Sequence, residues 1–125
     1  MTVRAVLAGH GGVAQGLVSA VEAIAGRGAA FAPLSNAGLG ADALVAALRT
    51  AVEAHAVDVI FTDLPAGSAT LAARRLQRER PALRVVAGAN LATLLEFAMR
   101  PDIDADELVA KGRAALVAWP AAGPR

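Results

Sequence analysis

Val3-Arg4-Ala5-Val6-Leu7-Ala8-Gly9-His10-Gly11-Gly12 is a short apolar run ending in a glycine, one histidine and two more glycines, and a helical pattern begins at Val13. It reads as strand, tight loop, helix. Val3 to Ala8 has the continuous apolar character of a strand covered on both faces. His10 then stands at the strand's C-terminal edge, where open α/β sheets bind ligands and do chemistry.

The same alternation continues outward from this stretch. Leu17, Val18, Val21 and Ile24 form a helical stripe within 13–25, closed by Gly26 and Gly28. Ala29 to Leu34 is a weaker strand, and Pro33 marks it as an edge. After a loop from Ser35 to Gly40, Asp42 is expected to cap a helix over Ala43 to Ala54, with Leu44, Val45, Leu48 and Val52 as its core stripe. Asp58 to Thr62 reads as the central strand. Thr70 to Glu79 reads as a helix that Pro81 ends. Arg84 to Ala87 is a fourth strand, and Leu91 to Met99 a helix broken by Pro101. Asp104 or Asp106 caps a last segment near Glu107, while Lys111 to Trp119 fits either a helix end or a strand. Strands alternating with helices imply right-handed crossovers. The fold class is α/β, a three-layer α/β/α doubly wound domain on a mostly parallel four-stranded sheet.

A chain of 125 residues is one domain of ordinary size. With 56% hydrophobic but only 3% aromatic residues, its core must be Ala, Val and Leu, each burying little area, which fits a chain that hides further surface in a subunit interface. The net charge of +1 gives no case for nucleic acid or an acidic membrane surface. Arg74, Arg75, Arg78, Arg80 and Arg84 form a local basic run, either a solvated helix face or a docking patch. Without cysteine there are no disulfides, thiolate nucleophiles or thiolate metal sites. No signal peptide is visible, and no apolar run approaches the roughly 20 residues of a membrane helix, so a soluble, cytoplasmic protein is expected.

All loops after parallel strands open on one edge. Here they carry His10, then Ser35 and Asn36, then Asp63 with Gly67-Ser68, then Asn90. A carboxylate beside an imidazole accepts its Nδ1–H and leaves Nε2 as the nucleophile. A phosphoryl group on Nε2 then needs donors, and Gly67-Ser68 lies just before a helix, whose N-terminal amides favour an anion. Asp63 could instead cap that helix, and Gly67 serve only the turn. Ser35 and Asn36 read more readily as turn residues, and Asn90 as a satisfier of loop amides. His55 reads as a helix-end residue without partners.

Gly9-His10-Gly11, the Asp63-Leu64-Pro65-Ala66-Gly67-Ser68 loop, and Ala87-Gly88-Ala89-Asn90-Leu91 with Leu94-Leu95 resemble the IIA component of the mannose/fructose/sorbose family of the phosphoenolpyruvate-dependent sugar phosphotransferase system. The resemblance covers nearly the whole chain and implies one such domain over 1–119, with a short flexible tail at 120–125. It implies a phosphotransferase role: His10 accepts a phosphoryl group from the phosphocarrier HPr and passes it to a IIB component serving a sugar permease. Asp63 orients His10, and Gly67 and Ser68 hold the phosphate; Gly11, Ser35 and Asn90 are expected at the site rim from the convergence of the loops. No metal or other cofactor is implied. It further implies a homodimer that exchanges a C-terminal antiparallel strand, Arg113 to Trp119. Relatives commonly have Gly-Gly-Ser-Pro where this chain has Ala66-Gly67-Ser68-Ala69, and Asn-Leu-Pro where it has Asn90-Leu91-Ala92. Neither difference removes a chemical group.

Alternative outputs of the same domain are the phosphotransfer subunit of a dihydroxyacetone kinase and a regulatory IIA in an incomplete relay. A non-catalytic binding or scaffold domain is the reading from another class. A receiver domain needs an acidic pair where Gly9-His10 stands, a dinucleotide site needs a third spaced glycine, and a metal hydrolase needs more ligands than His10 and Asp63.

Overall fold

The computed structural model describes residues 2–124, so Met1 and Arg125, the outer ends of the expected domain and tail, lie outside the described residues. The elements alternate as read: β1 (Ala5–Gly9), α1 (Val13–Ala25), β2 (Phe31–Ser35), α2 (Ala41–His55), β3 (Val59–Thr62), α3 (Ser68–Glu79), β4 (Arg84–Val86), α4 (Leu91–Met99) and α5 (Ala105–Ala114). Among the described residues the sheet has four strands in the order β2-β1-β3-β4. Every pairing is parallel, with Val6 opposite Ala32 on one side and Ile60 on the other.

The two-residue period of β1 divides the core. Ala5 and Leu7 face a layer made by α1, α4 and α5, where Val21, Leu94 and Leu108 are buried. Val6 and Ala8 face the layer of α2 and α3, against Leu44, Leu48, Ala73 and Leu76. β1 and β3 are therefore buried on both faces, which is why they carry unbroken apolar runs. All three phenylalanines of the chain lie in the first layer. The Phe61 and Phe97 rings meet edge-to-face at 5.0 Å, with Phe31 at 6.0 Å from Phe61 and 5.9 Å from Phe97. Such pairs add about 0.5–1.5 kcal/mol each beyond burial.

The layers hold some small residues for space alone. A Cβ on Gly112 of α5 would fall 2.2 Å from Thr93 Cγ2 on α4. Gly112→Ala is expected to push the two helices apart and cost about 1–3 kcal/mol of stability, read as a lower midpoint in urea unfolding. An unchanged midpoint would show that α5 shifts freely on α4.

One expectation is corrected, and two gain detail. Asp42 does not cap α2: Gly40 holds the cap position, and Asp42 sits in the first turn with its carboxylate on Arg75 at 2.9 Å. The basic run is mostly engaged in ion pairs. Arg80 meets Glu53 at 3.2 Å and Arg84 meets Asp58 at 3.6 Å, while Arg49 of α2 reaches Glu79 of α3 at 2.9 Å. Only Arg74 and Arg78 of the run make no ion pair among the described residues. Exposed pairs of this kind contribute about 0–1 kcal/mol each, so those of Arg49, Arg75 and Arg80 align α2 with α3 more than they stabilise the fold. Finally, the expected C-terminal antiparallel strand is not formed in the single chain. Arg113 and Ala114 complete α5, and the residues beyond run without strand pairing, Leu116 and Trp119 being 88% and 84% exposed. An exchanged strand takes its hydrogen bonds from another chain, and among the described residues β4 pairs only with β3.

Candidate functional site

The strand order creates the site. The connection after β1 turns to β2 on one side, and β3 lies on β1's other side. α1 packs on one face and α3 on the other. A crevice opens between such diverging connections at the C-terminal strand ends. His10 follows β1 and Asp63 follows β3, so the two residues meet across it although 53 positions apart.

One carboxylate oxygen makes both contacts. Asp63 Oδ2 accepts the main-chain N–H of His10 at 2.8 Å, and His10 Nδ1 lies 2.8 Å from the same oxygen. Asp63 Oδ1 is buried and takes no hydrogen bond from the described residues. Burial pushes the carboxyl pKa up, but the His10 main-chain bond, the ring bond and the ring's charge outweigh it, leaving Asp63 below its ordinary value. Asp63 is therefore ionised near neutral pH, and an ionised carboxylate can only accept. Nδ1 must carry the proton, and in the neutral ring Nε2 carries the lone pair. The histidine side chain is 47% exposed and the aspartate 13%, so a supported ring offers its free nitrogen to solvent.

Gly67, the N-cap of α3, lies against that ring. A Cβ there would sit 2.9 Å from His10 Cε1 and 3.8 Å from Nε2. The N-terminus of α3 thus approaches the edge bearing Nε2. Its first amides have no intrahelical acceptor, since the ladder begins with Leu71 N–H on Gly67 C=O at 3.0 Å. These amides and the helix dipole favour an anion at this position. Ser68, the first residue of α3, exposes its hydroxyl beside them.

Hydrogen bonds hold the loop from Asp63 to Gly67 against the first turn of α3. The Thr70 hydroxyl donates to Leu64 C=O. Its proton being committed, Thr70 Oγ1 accepts from the buried Thr62 hydroxyl at 2.5 Å. Ala69 is buried and packs in the α2–α3 layer.

The rim residues separate. Gly11 N–H donates to Asn36 Oδ1 at 3.3 Å, and Asn36 Nδ2 donates to Ser68 Oγ at 3.0 Å. Asn36 thus belongs to the cluster, whereas Ser35 Oγ only accepts Ala37 N–H at 3.1 Å in its own turn. Asn90 is spent elsewhere. Its Oδ1 accepts Thr93 N–H at 3.0 Å in a capping box on α4, and its Nδ2 donates to Gly112 C=O at 2.9 Å. His55, the last residue of α2, borders a hollow at the opposite end of the strands with Arg4 and Arg84. Among the described residues no cluster of three or more His, Cys, Asp or Glu could hold a metal. No helix is long and apolar enough to cross a membrane.

Comparison with known proteins agrees with this fold. No curated protein sequence matches the chain. Among solved structures, the mannose/sorbose-specific IIA subunit of the phosphotransferase system from Enterococcus faecalis is 28% identical, superposes with a TM-score of 0.79, and each chain covers 100% of the other. The IIA protein of a fucose utilization operon from Streptococcus pneumoniae shares the fold, with a TM-score of 0.83 at 20% identity over 94% of this chain and 93% of that one. The EIIA component from Streptococcus agalactiae does so at 0.77 and 23%, over 94% and 97%. The family model described as the fructose IIA component of the phosphotransferase system matches residues 4–112, nearly the whole described chain. The chain therefore belongs to the EIIA-man family of phosphotransferase-system IIA components, proteins of phosphoryl transfer in sugar uptake.

Proposed function

We propose that this chain is a phosphoryl carrier that takes a phosphoryl group from phospho-HPr onto Nε2 of His10 and gives it to a IIB component. The observation that carries this reading is the double use of Asp63 Oδ2, which fixes His10 with Nε2 free beside the N-terminus of α3. The Nε2 lone pair attacks phosphorus in line, and the bond to the donor's atom breaks as the new P–N bond forms. Charge on the equatorial oxygens is met by the amides at Gly67 and Ser68 and by the Ser68 hydroxyl. As the ring becomes cationic, the Asp63 carboxylate stabilises it through Nδ1–H. Transfer to the IIB component runs the same steps in reverse.

A second copy of the chain is part of the proposal. The free edge of β4, a hollow of about 380 Å³ beside it, and the exposed Leu116, Val117 and Trp119 support exchange of the segment after α5 between two chains. An open edge and bare apolar side chains are both costly in isolation.

The direct test is incubation with phosphoenolpyruvate, enzyme I and HPr, each bearing no label except the phosphoryl group. One acid-labile phosphoryl per chain is expected. No label, with HPr itself labelled, would overturn the reading. Gly67→Ala tests the geometry. Residue 67 has φ −78° and ψ 170°, which any residue adopts, so the substitution adds only a methyl against the His10 ring. Transfer is expected to fall by about tenfold or more, as a displaced reacting atom costs, with little change in melting temperature. A wild-type rate would show that the ring has room to move.

A further inference from the structure

The side chain of Asn36 ties the two halves of the site together, and no role in the reaction has yet been given to it. Its main chain is fixed first: Asn36 N–H donates to Gly9 C=O at 3.0 Å, and its C=O accepts Leu39 N–H at 3.0 Å. From that anchor the carboxamide spans the crevice, meeting the loop that carries His10 at Gly11 and the start of α3 at Ser68. The orientation of the amide is set by its neighbours. Gly11 offers an N–H and nothing else, so Oδ1 must face it, and Nδ2 must face Ser68. Ser68 Oγ therefore accepts a hydrogen bond from Asn36. Its own hydrogen is left for another acceptor.

Resting on the reading that His10 carries a phosphoryl group, we propose that Asn36 is a positioning residue: by donating to Ser68 Oγ it turns the serine hydrogen toward the phosphoryl oxygens. Without Asn36, the hydroxyl rotates freely and can point its lone pairs, rather than its hydrogen, at the phosphoryl group. The bond from Gly11 N–H serves the same end by holding Asn36 in place. A hydroxyl already aimed spends no reorganisation at the moment of transfer. A purely mechanical role, in which Asn36 only clips two loops together, is the competing account, and it makes different predictions.

The test is a comparison of phosphoryl transfer from phospho-HPr by rapid quench, at saturating and limiting donor, for the wild type, N36A, S68A and N36A/S68A. Asn36 acting through Ser68 gives N36A and S68A similar losses of about tenfold each, in the saturated rate rather than in the donor concentration needed, as one hydrogen bond to the reacting group is worth. The double variant is then no more than about twofold slower than S68A, because the partner through which Asn36 acts is gone. N36D adds an independent check. Its carboxylate still accepts Gly11 N–H, so the clip survives, but it can only accept from Ser68 and takes the serine hydrogen away from the phosphoryl group. N36D is expected to be slower than N36A and to melt at the same temperature as the wild type. A wild-type rate in N36A, losses that multiply in the double variant, or full rescue by N36D each overturns the proposal. A wild type that takes no label from phospho-HPr overturns the carrier reading itself, and is distinguished from these by the absence of any rate to compare.

Discussion

His10→Ala is expected to take no phosphoryl group at all while keeping the fold. The chain has two histidines, and the other, His55, ends α2 at the opposite end of the strands from the crevice. No second imidazole can reach the α3 N-terminus. The loss is therefore total rather than partial, beyond the 10- to 100-fold effects expected of neighbouring residues. The fold survives because the side chain is half-exposed and contributes one ring contact. The bond that holds Asp63 to the β1 end is made by the main-chain N–H of residue 10, which alanine retains. The stability change is expected to stay within about 1 kcal/mol, the range of a surface hydrogen bond. Acid-labile label persisting in His10→Ala, at His55 or elsewhere, would remove His10 from the reaction.

That the sequence exposes this residue at all follows from how parallel sheets are built. Val6, Ile60 and Phe61 sit in apolar runs because β1 and β3 are covered on both faces, and a run so covered is legible without a structure. Topology then brings every loop after a strand to one edge, so His10 and Asp63 can be paired before any distance is known. The finer assignments depend on short polar side chains whose neighbours lie far away in sequence. Asn36 looks like any loop asparagine until Ser68, 32 residues on, is seen to accept from it. Asn90 did leave a trace, since Asn-Leu-Ala-Thr has a polar residue three positions after a polar cap, the spacing of a capping box. Ion pairs such as Arg49 with Glu79 follow only from helix packing, which periodicity does not specify. The segment after α5 fits either a helix end or a strand because Leu116, Val117 and Trp119 are exposed and meet no core among the described residues.

Asp63→Asn is expected to slow transfer by about 10- to 100-fold, while lowering stability by only about 1–3 kcal/mol. The geometry dictates how the amide must sit. The main-chain N–H of His10 needs an acceptor, so the amide oxygen takes the place of Oδ2 and still receives Nδ1–H. The tautomer that frees Nε2 is preserved. What is lost is the charge that stabilises the ring as it turns cationic in the transition state. The amide nitrogen falls where Oδ1 now lies, a buried position with no hydrogen-bond partner among the described residues, and this adds a pH-independent part to the stability lost with the charge. The pH dependence separates the two effects. Asp63 has a pKa lowered in the folded chain, chiefly because bonds from His10 outweigh the opposing effect of burial. A carboxyl so lowered binds its proton more weakly folded than unfolded. Its stabilisation is present above the ordinary aspartate pKa of about 3.9 and is lost as pH falls through the lower folded value. The stability gap between wild type and Asp63→Asn, followed by denaturant titration, should therefore narrow as pH falls below about 4. A constant gap would mean that the carboxylate charge contributes nothing to the fold, and transfer at the wild-type rate would remove Asp63 from the mechanism.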